Sequence, residues 1–438
     1  MSTEINHDNL TEKERKSMAR RAGLASLVGT TIEWYDFFLF GTMAALVFPQ
    51  LFFPGADPVA GLLQSFAALF VGFAARPLGA AFFGYFGDRI GRKATLVTTL
   101  LLMGIASTLI GLLPSYETWG VAATILLVFF RFCQGFGAGG EWGGSVVLSV
   151  EWSSKGKRGL MGSMTQVASP IALLLSSAVV SATIFLTGDN FHVWGWRIPF
   201  LISIILVIIG FIIRRGVEDS PSFKKMQKED RLSKQPVRDV FRRYPKTLFL
   251  VILAGLAQGV PFYVFTTFAI SYGSGQLQLE SQFLTNTLMV VSIVEIAVIF
   301  YAAHLSDKYN RKSIFYVGAL ITVLMAFPFF WLFDTKVAGL VVLAMSLAII
   351  GAGTVYGPLA ALIAECFPAE LRYSGTSLGY QLSAAIQGIS PMLCVYLLDT
   401  FNSTAPISIY LVVASLIAIV AVVNLKKAKY MDAEDVAS

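Results

Sequence analysis

Six ionisable side chains stand inside apolar stretches of this sequence, and their spacing limits the chemistry it can do. Glu33 and Asp36 lie three residues apart in GTTIEWYDFFLFG (29–41), so on a helix they share a face that Gly29 and Phe40 continue. Arg131, Gln134, Ala138, Glu141 and Ser145 recur every three or four residues and would form one polar stripe on an otherwise apolar helix. A rise of ~1.5 Å per residue from the ends of these runs puts Asp36 and Arg131 each about 18 Å deep, near the middle of a membrane span. A charge at that depth costs at least about 2.5 kcal/mol and needs a partner or a wet cavity, so each is a functional candidate. Two carboxylates this close in a low dielectric resist double ionisation, which suits a group that takes a proton on one side and releases it on the other. The competing reading is a permanent ion pair that never titrates.

Three more charges need a partner or a purpose. Glu295 is alone in VVSIVEIAVIF, and Glu141 lies in GAGGEWGG, whose glycines equally suit close helix packing. Arg76 precedes Pro77 in FAARPLGAAFFG and is expected to satisfy the carbonyl that the proline frees. Tyr35, Gln258, Tyr263 and Tyr356 supply polar tips for a cavity, although aromatic residues more often pack than bind. Covalent chemistry has no footing: HExxH is absent, Cys133, Cys366 and Cys394 have unrelated spacings, and His7, His192 and His304 are scattered. No enzyme, metal site or cofactor is expected.

The elements that must position these groups follow from composition. Of 438 residues 55% are hydrophobic and only 14% charged, with a mean hydropathy of +0.69, far from a soluble domain. A bilayer core asks for about 20 apolar residues per helix. Twelve segments qualify: 24–48, 62–86, 94–113, 119–142, 160–186, 196–213, 247–272, 284–305, 313–333, 337–364, 374–398 and 406–425. With both termini cytoplasmic, all of the 33 Lys and Arg except Arg76, Arg131, Arg197 and Lys336 fall in cytoplasmic segments, as the positive-inside rule asks. The net charge of +6 is therefore topological; no basic run is interleaved with aromatics as nucleic acid would require. The polar start, MSTEINHDNLTEKERKSMARR, has no apolar core of a cleaved signal peptide.

The expected organisation is an all-α membrane protein. A tail (1–23) precedes a six-helix bundle (24–213), a basic cytoplasmic loop (214–246) lying on anionic lipid, a second six-helix bundle (247–425) and a tail (426–438). The bundles repeat each other. GYFGDRIGRK (84–93) matches AHLSDKYNRK (303–312), with Asp88, Arg89, Arg92 and Lys93 recurring as Asp307, Lys308, Arg311 and Lys312. Glu151 and Arg158 recur as Glu365 and Arg372, and Gly137 and Gly139 as Gly351 and Gly353. Such symmetry marks transporters that rock two bundles around a central site.

GYFGDRIGRK resembles the G-x-x-x-D-R-x-G-R-K signature of the major facilitator superfamily, and GFGAGG with Leu148, Glu151 and Arg158 resembles the signature ending helix 4 in its sugar-porter-like members. Cys133 departs from the aliphatic residue usual there. GTTIEWYDFFLFG, RFCQGFGAGGEWGG (131–144) and FPAELRYSGTSLGY (367–380) together resemble the metabolite:H⁺ symporter family, whose members carry shikimate, 2-oxoglutarate, citrate, proline or glycine betaine. The likeness runs from about residue 22 to 425. It implies that helices 1, 4, 7 and 10 line the cavity, placing Arg131 opposite Asp36, where its guanidinium would hold that carboxylate or bind one on the substrate. It also implies a gating latch: Asp88 on a helix N-terminus and Arg92 reaching Glu151, with Arg89 and Arg158 alongside. Asp307, Arg311, Glu365 and Arg372 are the matched positions. Ala303 and Asn310 replace Gly84 and Gly91, so the second latch is expected to be the weaker, and a solvated charge cluster is the plainer alternative.

The resulting expectation is a monomeric, multi-pass carrier of the inner (plasma) membrane that moves a small carboxylate or zwitterion with H⁺. Glu33, Asp36, Glu141 and Glu295 are the proton-coupling candidates; Arg131, Gln134, Tyr35, Gln258, Tyr263 and Tyr356 are the substrate candidates. The helix 1 sequence FFLFGTMAALVFPQLFFP leans to shikimate-type carriers. A proline/betaine osmolyte symporter, an uncoupled facilitator and a membrane solute sensor are the alternatives; a sensor would need an output domain longer than either tail.

Overall fold

The computed structural model describes residues 12–55, 57–90, 92–151, 158–215, 236–368 and 371–428, and every regular element among them is a helix. The main helices are α1 (Glu12–Leu46), α2 (Pro58–Ile90), α3 (Arg92–Leu112), α4 (Val121–Ala138), α5 (Arg158–Thr187) and α6 (Arg197–Arg215). They continue as α7 (Pro245–Tyr263), α8 (Ser281–Lys308), α9 (Arg311–Met325), α10 (Ala338–Ala364), α11 (Arg372–Gln387) and α12 (Ala405–Asn424). An apolar chain out of reach of water must satisfy its backbone internally, and helices do this within each segment. Eight stretches of the described residues are long and apolar enough to cross a membrane: those in α2, α4, α5, α8, α10 and α12, α7 extended to Gly275, and α11 extended to Phe401. In α3 and α6 the apolar stretches are shorter, Val97–Leu112 and Arg197–Ile212. Side chains such as Ile205, Ile208, Ile212, Val420 and Val423 point outward and are more than half exposed, a surface that suits lipid rather than water.

The sequence repeat is visible as repeated packing. α3 lies against α4 and α6, as α9 lies against α10 and α12; α2 lies against α4 as α8 lies against α10; α1 lies against α5 as α7 lies against α11. The halves meet through α5 on α8 and, in the mirrored pairing, α11 on α2.

Two helices depart from their predicted course beside this junction. The fourth segment, expected as one helix to residue 142, ends at Ala138, turns through 139–141 and restarts as Trp142–Glu151. Gly139 packs so tightly on α2 that a Cβ there would collide with the backbone of Arg76 and Ala80. The polar stripe is therefore broken: Arg131 and Gln134 ride on α4, whereas Glu141 lies in the turn. α7 contains Pro261, which donates no backbone hydrogen bond, and a π-helical turn (Val264–Phe268) follows before the helix resumes as Ala269–Gly275.

Candidate functional site

α1 carries Glu33 and Asp36 into the interior, each about 1% exposed. They do not form the joint pair that their shared face predicts. Glu33 turns to α2, where Arg76 Nη2 donates to its Oε1 at 2.7 Å. Asp36 turns to α6 and α3: Ser203 Oγ donates to its Oδ1 at 2.7 Å, and Ser107 lies beside it. Three residues of helix advance about 300°, so the two carboxylates diverge enough to find separate partners.

Arg76 also departs from expectation. It does not serve the carbonyl freed by Pro77; its Nε donates to Gln381 Oε1 at 2.8 Å, on α11 of the other half. Gln381 in turn donates from Nε2 to Gly139 O at 3.2 Å, so one amide ties the second half to both α2 and the α4 turn. Fully buried polar groups hold such geometry because losing a partner leaves an uncompensated charge or dipole in a low dielectric.

Arg131 is fully buried and does not pair with Asp36. Its Nη1 donates to Gln134 Oε1 at 3.0 Å, and Gln134 Nε2 donates to Ser107 Oγ at 2.7 Å, so the two opposite charges communicate through an amide and a hydroxyl. Its guanidinium carbon lies 4.0 Å from the Phe37 ring centroid and 4.4 Å from that of Phe40. Arg76 lies 4.8 Å from Phe37 and 4.8 Å from Trp34. Phe37 is thus shared by both cations, and aromatic faces replace part of the solvation that burial removes.

The second half closes this cluster with aromatic groups. Tyr263 meets Phe73 edge-on at 5.2 Å, and Phe262 meets Phe38 at 5.3 Å. The Tyr356 hydroxyl shares a hydrogen bond with that of Tyr380 at 3.0 Å, and Trp142 Nε1 donates to Gln166 Oε1 at 3.2 Å. Gln258 is buried on α7.

The remaining candidates lie elsewhere or face away. The Tyr35 hydroxyl donates to Pro199 O at 2.9 Å, which turns it to α6. Glu295 is fully buried on α8 against Gly353 of α10, and neither carboxylate oxygen accepts a hydrogen bond. Glu141 is buried in the turn after α4. The side chains of Asp88, Arg89, Arg92 and Glu151 lie outside the described residues.

The second copy of the charged motif makes defined contacts, one of them between the halves. Asp307 Oδ1 and Oδ2 accept from the backbone of Gly159 (2.8 Å) and Leu160 (2.9 Å), at the start of α5 in the first half. A carboxylate there satisfies two orphan N–H groups and meets the positive end of the helix dipole. Arg311 lies 3.5 Å from Asp307 and 2.5 Å from Glu365, whose other oxygen is 3.4 Å from Lys427. Asn310 accepts from Lys312 N and caps α9, so this substitution for glycine gains a helix cap. Arg158 and Arg372 open α5 and α11.

Sequence reasoning missed Gln381, Tyr380, Trp142, Gln166, Ser107 and Ser203. Gln381 and Tyr380 had a visible signal, polar tips in an apolar segment, but no spacing rule names a partner in the other half of the chain.

A family model described as Major Facilitator Superfamily matches residues 26–391. Over 408 residues the chain is 40% identical to the shikimate transporter of Escherichia coli (strain K12), covering 92% of this chain and 93% of the relative. It is 31% identical to the proline/betaine transporter of the same strain, covering 93% of this chain and 83% of the relative. Among solved structures, the proton:xylose symporter XylE bound to 6-bromo-6-deoxy-D-glucose superposes with a TM-score of 0.73 at 18% identity, covering 93% and 95% of the two chains. That last likeness is one of fold.

Proposed function

The chain belongs to the major facilitator superfamily, and from that premise we propose that it is a proton-coupled symporter that takes up a small carboxylate or zwitterionic metabolite by alternating access. The observation that carries this reading is the buried charge cluster at the junction of the halves, where Arg76 of the first half is bonded at once to Glu33 and to Gln381 of the second. A transporter that rocks its halves needs groups at their junction whose partners can change with load. Arg131, buried without a carboxylate partner, attracts an anion, and buried acids supply the exchangeable proton. Asp36 is the favoured proton carrier: Ser203 holds Oδ1, while Oδ2 takes no hydrogen bond and can accept a proton. Glu33 keeps Arg76 neutralised. In this reading the chain is a monomer of twelve membrane-spanning helices in two six-helix bundles, with both termini cytoplasmic, in the inner membrane. Asp307 with Arg311 and Glu365 latches the cytoplasmic side, and Asp88 with Arg92 and Glu151 is its counterpart.

A shikimate-like organic acid is the favoured cargo, because the 40% identical relative is named a shikimate transporter and the site presents guanidinium groups. The similarity to a proline/betaine transporter keeps an osmolyte as the second reading. Reconstituted vesicles with an imposed ΔpH, offered labelled shikimate, 2-oxoglutarate, citrate, proline and glycine betaine, test both. Accumulation of one cargo that collapses with a protonophore is expected; equilibration without accumulation would mean an uncoupled facilitator.

A further inference from the structure

Arg131 is fully buried, yet its Nε and Nη2 have no hydrogen-bond acceptor. These two N–H groups form one edge of the guanidinium plane, the edge on which a carboxylate docks with two parallel bonds. Nη1 is held by Gln134 and the ring faces of Phe37 and Phe40 flank the cation, so the open edge is fixed in direction. Arg76, by contrast, is neutralised by Glu33 and bonded to Gln381, with Nη1 alone unfilled. The third buried arginine, Arg372, is nine residues before Gln381 on α11, about 13 Å along the helix.

We infer that this edge of Arg131 seats one carboxylate and that the cargo is a monocarboxylate anion. The inference rests on the carboxylate-transport reading above and narrows it. A di- or tricarboxylate needs a second uncompensated cation, and among the described residues of the cluster Arg76 is already paired. A betaine-type zwitterion needs a free aromatic face or an unpaired carboxylate for its ammonium group. Phe37 and Trp34 already face guanidinium groups, Trp142 and Tyr380 face each other, Glu33 holds Arg76, and Asp36 is taken up as the proton carrier of the reading above.

Gly72 is the residue that positions this edge. It lies against the guanidinium of Arg131, and a Cβ there would collide with Nε, Cζ and Cδ. Any side chain at 72 must displace the fork, so Gly72 acts on the cargo through Arg131.

The test measures binding to the purified full-length protein by calorimetry and ligand-induced thermal stabilisation. Shikimate, quinate and benzoate represent monocarboxylates; 2-oxoglutarate and citrate carry more charge; proline and glycine betaine are zwitterions. At least one monocarboxylate is expected to bind at least tenfold more tightly than every member of the other two groups. Arg131→Lys should weaken it tenfold or more, because an ammonium cannot reproduce the fork. Gly72→Ala should weaken it similarly, and adding Gly72→Ala to Arg131→Lys should cost little more, whereas a merely structural glycine gives multiplying losses. If Gly72→Ala does not fold, the wild-type panel and Arg131→Lys still decide the seat. Tighter binding of a dicarboxylate or zwitterion overturns the single-carboxylate seat and leaves proton symport standing. Unchanged affinity in Arg131→Lys removes Arg131 from the seat. No binding by any of the three groups, with no ΔpH-driven uptake, sinks both the seat and the symport reading.

Discussion

Trp142 and Tyr380, one from each half, lie face to face with ring centroids 3.6 Å apart and planes 10° from parallel. The pair exists only while the halves are close, because Trp142 follows the α4 turn and Tyr380 rides on α11. Its loss therefore acts on the balance between closed and open states as well as on packing. An aromatic pair contributes about 0.5–1.5 kcal/mol beyond the area it buries. Trp142→Leu is expected to lower the melting temperature and increase solvent labelling of a cysteine placed at Gln166. Tyr380→Phe keeps the stack and loses only the bond to Tyr356, so it should do much less. Equal effects of the two substitutions would show that the stack is not what joins the halves here.

The Arg76–Glu33 pair makes a sharper stability test. Removing one partner of a buried ion pair leaves an unpaired charge and costs about 3–5 kcal/mol, while removing both can be far milder. Arg76→Gln and Glu33→Gln should each destabilise strongly, and the double variant should recover much of the loss. Thermal melts of the four proteins read this directly. Additive losses would mean that the two charges are not coupled, and the cluster would have to be redrawn around Gln381.

What the sequence made legible follows from which forces act locally. Apolar runs had to become helices because a chain in hydrocarbon has no other local way to satisfy its backbone, so predicted 337–364 and 406–425 coincide with Ala338–Ala364 and Ala405–Asn424. The matched Asp307, Arg311 and Glu365 were visible because the repeat preserved their residue types. Partners across the halves were not visible. Helical spacing says that Glu33 and Asp36 share a face; it cannot say that α2 supplies an arginine to one and α6 a serine to the other. The break after Ala138 was equally unassigned: GAGGEWGG reads as part of one long helix, and spacing alone does not say which of its glycines meets α2.

Asp307 tests the latch. Asp307→Asn retains one acceptor but loses the charge that meets the α5 dipole and Arg311. Active uptake should fall about tenfold or more, since a charge at a helix end and its ion pair together contribute on the order of 1–2 kcal/mol. The melting temperature should move by only a few degrees, because no core side chain is removed. Asp88→Asn is the companion in the other half and should abolish uptake while leaving folded protein in the membrane. Near wild-type uptake by either variant would make that residue a bystander in gating.

The coupling role of Asp36 decides most. Asp36→Asn fixes a neutral group where the proton would come and go, and an amide can still accept from Ser203, so the fold should survive. Inward accumulation driven by ΔpH should then collapse, because the carrier has no proton to release inside. Exchange of labelled for unlabelled cargo should persist, since exchange moves the loaded carrier both ways and needs no net proton movement. Glu33→Gln should behave differently: it strips Arg76 of its counter-charge, so stability and exchange are both expected to suffer. Either carboxylate could take the proton when the other is removed, which makes the double variant the necessary control. Uptake and exchange are measured side by side in reconstituted vesicles, with a thermal melt on each protein to separate misfolding from loss of coupling. If Asp36→Asn still accumulates cargo under ΔpH, Asp36 is not the carrier. Accumulation by the double variant as well would exonerate α1 and move the proton to Glu141 or to Glu295, whose carboxylate is buried on α8 without a hydrogen-bond partner.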